Sequence, residues 1–190
     1  ASVERKIDSL LSLMTLEEKL GQLNQLTGQW DEKLKRQVLT DEERDLVKKG
    51  RIGSYLNVVG ADVTRDFQRV AVEESRLHIP LLFGLDVIHG FRTIFTVKLA
   101  EACTWDPALV ERAARVAAIE ATAAGVHWTF APMVDIARDP RWGRIMEGSG
   151  EDPYLGAAMA AARVRGFQGR DLSNPTSLLA CAKHFAGYGG

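Results

Sequence analysis

Arg138-Asp139-Pro140-Arg141-Trp142-Gly143-Arg144, followed by Glu147, Glu151 and Asp152-Pro153, gathers cations and carboxylates into one short stretch. Its glycine and proline keep it from being a single regular helix. It directly follows Val126-His127-Trp128-Thr129-Phe130-Ala131, an apolar run that reads as a buried strand. A charged, irregular loop at the end of a buried strand is where α/β enzymes hold their reactive groups. Arginine suits such a place because its planar fork holds hydroxyls and carboxylates in a fixed geometry. The stretch also reads as a surface loop, in which Glu147, Glu151 and Asp152 neutralise Arg138, Arg141 and Arg144. Salt bridging is the preferred reading for Glu151 and Asp152, and Asp152 doubles as a helix cap.

Three apolar runs in all, this one included, carry polar groups at their ends. Leu81-Leu82-Phe83-Gly84-Leu85 ends in Asp86, the run ending near Met133 is followed by Asp135, and Ser177-Leu178-Leu179-Ala180-Cys181-Ala182 ends in Lys183-His184. Asp86 could instead cap a turn, and Asp135 could hold loop backbone. Lys183 and His184 are adjacent, so in an ideal strand they point to opposite faces and share a site only if the strand has ended or bulged. His89 and His127 read as structural, the latter as a core histidine.

The elements that must position these groups are punctuated regularly. Thr15 with Glu18 and Thr40 with Glu43 form capping boxes, predicting one helix to about Gln25 and another ended by Gly50. Ile52 to Asn57 predicts a strand, Asp62 to Leu77 a helix with Val63, Phe67 and Val70 inward, and Leu81 to Leu85 a second strand. Asp106-Pro107 starts a helix that Gly125 stops, and Asp152-Pro153 starts one that ends near Gly166. The order is β-α-β-α-β-α-β after two leading helices. Near-continuous apolar strands joined by crossover helices imply a parallel sheet covered on both faces. No Gly-x-Gly-x-x-Gly follows the first strand and no phosphate-binding loop is present, so nucleotide binding is unsupported.

The 190 residues allow one domain with a real core, and 46% hydrophobic with 26% charged residues is ordinary for a globular protein. A net charge of -1 gives no electrostatic case for nucleic acid or an acidic membrane surface. Cys103 and Cys181 lack metal-site spacing and read as buried free thiols. No apolar run reaches about 18 residues, so no transmembrane helix is expected, and the chain opens on a polar helix and not a signal peptide. No metal or cofactor is expected.

Met14-Thr15-Leu16-Glu17-Glu18-Lys19, Gly84-Leu85-Asp86-Val87-Ile88-His89-Gly90, Ala131 to Arg144, Glu147 to Tyr154 and Lys183-His184-Phe185 together resemble the N-terminal region of glycoside hydrolase family 3, in its β-glucosidase and β-xylosidase branch. The resemblance implies a parallel β/α barrel of TIM type, here about half a barrel: residues 1–50 as leading helices and 51–190 as four strands with three crossover helices. It implies a retaining hydrolase of β-linked glucosides or xylosides, commonly periplasmic or secreted. Asp86, Arg144, Lys183 and His184 map to groups that line the subsite of the sugar that is cleaved off. Asp135, Arg138 and Glu147 are expected as supporting groups behind them. A pyranose is a ring of hydroxyls, and charged donors and acceptors make its strongest hydrogen bonds. The family's N-acetylglucosaminidase branch carries Pro-Gly-His-Gly after Lys-His-Phe. Here Ala186-Gly187-Tyr188-Gly189 follows, which favours the glucosidase branch.

A retaining glycosidase needs two carboxyl groups about 5 Å apart. In this family the nucleophile lies on a later strand and the acid/base usually in a second domain, so no catalytic residue is assigned within this chain. A half barrel leaves open strand edges and an apolar inner face. The expected partners are therefore a β-glucoside or oligosaccharide substrate and the remaining half of the barrel, or else a second copy of the chain. An excised or engineered half barrel without activity is the alternative reading. Thr96, where the family tends to have proline, and the end Gly187-Tyr188-Gly189-Gly190 hint weakly at altered sequence.

Overall fold

The computed structural model describes residues 2–189, so Gly190 of the glycine-rich end lies outside the described residues. The chain forms two compact units, one through Gly84 and one from Leu85.

The first unit begins with α1 (Val3–Leu13) and α2 (Leu16–Gln22). The box at Thr15 is formed in full: Thr15 Oγ1 accepts from Glu18 N, and Glu18 accepts from Thr15 N at 2.8 Å. Three short strands follow: β1 (Gln25–Thr27), β2 (Gln29–Asp31) and β3 (Arg36–Val38). Then come α3 (Asp41–Lys48), capped by the Thr40–Glu43 box, β4 (Ser54–Leu56), α4 (Ala61–Arg69) and β5 (Leu82–Leu85). The backbone widens into a π turn over Val70–Glu74, so the helix expected to reach Leu77 ends early.

β4 pairs in parallel with both β1 and β5, while β2 and β3 form an antiparallel hairpin. Register explains the core. Tyr55 lies opposite Phe83 across β4 and β5, their rings stack at 6.5 Å, and Phe67 of α4 meets Tyr55 edge-on at 5.0 Å. Val47, Ile52, Val63 and Leu81 pack around these rings.

The second unit takes over at Leu85. It holds α5 (Lys98–Ala102), α6 (Pro107–Ala123), β6 (Trp128–Thr129), a 3₁₀ turn over Ile145–Glu147, α7 (Pro153–Gln168) and β7 (Leu179–Ala180). β6 and β7 pair in parallel, with Trp128 opposite Leu179. Both long helices start as the sequence predicts: Asp106 accepts from Leu109 N, Asp152 accepts from Tyr154 N and Leu155 N, and each has proline at its first turn. Small residues let α6 and α7 meet closely. A Cβ on Gly166 would sit 2.4 Å from the Glu111 carbonyl oxygen, so only glycine fits there. Ala102, Val110, Met159 and Ala162 are buried together beside them.

Several expectations need correcting. Residues 1–50 are not leading helices alone, because they also hold β1 to β3. Among the described residues the parallel strands therefore number five and not four. Gln25-Leu26-Thr27 is too short and too polar to signal a strand by periodicity, and its ladder with β4 makes it one. Between the strand ending at Leu85 and the Asp106-Pro107 helix start, where the sequence reading places no element, the chain forms α5. Both cysteines are free, but Cys103 is exposed and Cys181 only half-buried. Among the described residues no helix is long and apolar enough to cross a membrane.

One buried hydrogen bond ties the segment after β5 to β6. Thr129, fully buried, accepts from the Val87 backbone N–H at 3.1 Å. Thr129→Val keeps the shape but orphans that N–H, so it should cost about 1–3 kcal/mol, read as a lower midpoint in urea unfolding.

Candidate functional site

The second unit brings six of the seven expected residues into one hydrogen-bonded cluster. Asp86 lies one residue past β5 and Lys183 three residues past β7, and their side chains meet with Lys183 Nζ donating to Asp86 Oδ2 at 2.6 Å. β7 has ended at Ala180, so strict alternation no longer separates Lys183 from His184, and the peptide between them is cis. His184 turns to Asp135, which accepts from the His184 backbone N–H at 3.1 Å and from Nδ1 at 2.8 Å. Asp135 is itself buried, and its segment is tied back by the Val134 N–H, which donates to the Lys183 carbonyl at 2.7 Å.

Arg144 joins the same cluster. Its Nε and Nη2 both donate to Glu147 at 2.6 Å, a two-pronged pair across the 3₁₀ turn. Its Nη1 reaches toward Tyr188 Oη at 3.1 Å and His184 Nε2 at 3.4 Å. The Asp135 carboxylate accepts and the Arg144 guanidinium donates. The two contacts fit a neutral His184 with the proton on Nδ1 and Nε2 as acceptor.

The electrostatics follow from these contacts. Arg144 holds the Glu147 carboxyl below the usual glutamate range, first through their hydrogen bonds and then by charge, with Lys183 and His89 adding to it. The same pair, with Tyr188, raises the pKa of Arg144 above its ordinary value. A carboxylate whose folded pKa is depressed stabilises the fold fully above its unfolded pKa, and that contribution is lost as pH falls through the folded value. Glu147→Gln should therefore lower thermal stability near neutrality, and the two melting curves should converge below about pH 4, beneath the ordinary glutamate pKa.

Arg138 does not join. It is exposed, and none of its contacts reaches the cluster among the described residues, so its expected supporting role is not met by the geometry. Arg141 is likewise turned outward and pairs with Asp139 at 2.6 Å. Glu147, and not Glu151, is the neutralising carboxylate: Glu151 forms no ion pair among the described residues, while Asp152 is used as the cap of α7. The folded turn decides this, since it puts Arg144 and Glu147, three apart, on one face. His127 is half-buried, and burial lowers its pKa, consistent with a structural histidine. His89 has its Nδ1 enclosed without a hydrogen-bond partner.

Tyr188 was not singled out from the sequence. It stands between two glycines of positive φ, Gly187 and Gly189, and its ring packs on His184 at 4.3 Å and edge-on to Trp142 at 5.4 Å. The guanidinium carbon of Arg144 lies 5.4 Å from the same ring. The available signal was an aromatic residue in a glycine turn four residues past a Lys-His pair.

Polar groups of both charge signs thus gather, paired with one another, just past the C-terminal ends of parallel strands. A model of the glycosyl hydrolase family 3 N-terminal domain matches residues 15–190. The chain belongs to glycosyl hydrolase family 3. It is 40% identical over 183 residues to a periplasmic β-glucosidase of Salmonella typhimurium, covering 96% of this chain and 23% of that protein. A putative β-xylosidase of Formosa agariphila is 34% identical over 203 residues, covering 99% of this chain and 27% of that protein. Among solved structures, a Listeria innocua β-glucosidase in complex with glucose superposes with a TM-score of 0.86 at 40% identity, over 99% of this chain and 27% of that one. An exo-1,3/1,4-β-glucanase from Pseudoalteromonas gives 0.83 at 32% identity, over 99% and 25%. The family 3 fold is therefore shared along essentially the whole chain, and the chain spans about a quarter of the length of these relatives.

Proposed function

We propose that this chain supplies the sugar-binding side of a retaining family 3 β-glucosidase, in which Asp86, Arg144, Lys183 and His184 grip the sugar that is cleaved off. The observation that carries the reading is their gathering into one cluster with opposed charges and partly exposed side chains. Asp86 offers carboxylate oxygens to sugar hydroxyls, while Arg144, Lys183 and the Nε2 of His184 offer complementary donors and an acceptor. Asp135 and Glu147 hold His184 and Arg144 in place. Bonds of this kind that tighten as the ring gains oxocarbenium character lower the barrier as well as the binding energy.

The nucleophile and the acid/base are proposed to lie in polypeptide beyond these residues, and residues 1–190 to be part of one TIM-type barrel whose other strands complete it. A periplasmic or secreted location is proposed from the name of one relative. The test is hydrolysis of an aryl β-glucoside by the complete polypeptide, with glucose as competitive inhibitor. Turnover with inhibition supports the reading. A complete, folded polypeptide that turns over neither the glucoside nor the xyloside would sink it. Without a nucleophile to form the covalent glycosyl-enzyme, the 190-residue chain alone should stay at buffer background.

A further inference from the structure

Three charged side chains lie deep in the second unit and away from the sugar cluster. Lys98 and Glu101 of α5 and Arg163 of α7 are each at most 6% exposed. Lys98 Nζ sits 2.5 Å from Glu101 Oε1, and Arg163 Nη2 sits 3.5 Å from Glu101 Oε2. Two cations share one anion, so the cluster carries a net positive charge in the interior. Burial lowers the pKa of both Lys98 and Arg163, as the cost of taking them out of water requires. A buried charge group is a poor way to stabilise a fold, because well-packed apolar residues often do as well. Holding a specific geometry is a task that such a group can perform and apolar residues cannot.

That task is visible in where Arg163 points. Its Nη1 donates to Ser149 Oγ at 2.9 Å, and Nη2 donates to the Lys98 carbonyl at 3.3 Å. Ser149 is buried and stands two residues past Glu147, the carboxylate that grips Arg144. The next residue, Gly150, accepts from the Ala137 N–H at 3.1 Å, and Gly148 closes the 3₁₀ turn by donating to Ile145. The exit of the arginine turn is therefore pinned on one side by Arg163 and on the other by the segment that carries Asp135.

We propose that the buried Lys98–Glu101–Arg163 cluster is a positioning device for Arg144, transmitted through Ser149 and Glu147, and that Ser149 and Arg163 are positioning residues for sugar binding. This rests on the reading that Arg144 binds the sugar. Lys98 and Glu101 orient the guanidinium of Arg163, whose Nη1 fixes Ser149. Ser149 fixes the backbone that places Glu147, and Glu147 fixes the fork left for the ligand.

The complete enzyme tests this with Ser149→Ala, Arg163→Met and Arg163→Lys, each alone, and with Ser149→Ala combined with Arg144→Lys. Readouts are the inhibition constant of glucose, KM and kcat for an aryl β-glucoside, and Tm. Ser149→Ala is expected to raise the glucose inhibition constant about tenfold, beside the lower Tm that an unpaired buried guanidinium donor brings, and Arg163→Met at least as much. Arg163→Lys should recover part of the loss. In the Arg144→Lys background, Ser149→Ala should change the constant by less than about twofold, because both act on one contact. Should Arg163→Met not fold, Ser149→Ala and the double variant still decide. A fall in Tm with unchanged glucose inhibition, or effects of Ser149→Ala and Arg144→Lys that multiply, would overturn the positioning role. If Arg144→Lys alone leaves inhibition unchanged, the sugar-site reading fails and this proposal falls with it.

Discussion

Arg144→Ala should lower kcat/KM for an aryl β-glucoside by about 10²–10³-fold in the complete enzyme, while the fold is kept. Arg144 touches three members of the cluster at once: Glu147, His184 and Tyr188. Its removal deletes the charged donors offered to sugar hydroxyls. It also leaves Glu147 with a charge and no partner in a half-buried site. Each charge-assisted hydrogen bond is worth about 1.5–3 kcal/mol, and two of them account for the expected loss. The loss should appear in kcat as well as KM, because the same bonds strengthen toward the transition state. Arg144→Lys should recover only part, since an ammonium cannot reproduce the two-pronged grip on Glu147. Steady-state kinetics beside a thermal melt check this. A variant with unchanged kcat/KM would remove Arg144 from the site.

Asp86→Ala should have an effect of similar size, about 10²-fold or more, for a different reason. Asp86 is the carboxylate that faces Lys183, whose side chain is only 14% exposed. Alanine removes the acceptor for sugar hydroxyls and leaves the ammonium without its counter-charge. Asp86→Asn separates the two contributions. It keeps an oxygen acceptor but loses the charge, so it should fall between wild type and alanine in glucose affinity. Equal affinity in wild type and Asp86→Ala would show that Asp86 serves only to hold Lys183.

Much of the scaffold was legible because its signals are local. The boxes at Thr15 and Thr40 and the Asp-Pro starts at 106 and 152 specify helix beginnings by side-chain chemistry within three residues, and each forms as read. The end of β5 was legible because an apolar run stopping at Asp86 needs no long-range information. What was missed depends on tertiary partners. β1 is a strand only because β4 lies beside it. α5 is too short for a periodic signal, and its charged pair Lys98 and Glu101 reads as surface although it is buried. Within the site, only the folded turn decides that Glu147 and not Glu151 takes Arg144. Arg138 and Arg144 are indistinguishable by composition, and the fold turns Arg138 outward. The sharing of one site by Lys183 and His184 needed β7 to stop at Ala180, a boundary that the apolar run alone placed two residues later.

The most direct test of the sugar-site account is a crystal structure of the complete polypeptide soaked with glucose. The account predicts one pyranose whose hydroxyls lie within about 2.6–3.2 Å of Asp86, Lys183, His184 and Arg144. A well-ordered pyranose held by other residues, with those four side chains still paired only to one another, would contradict it.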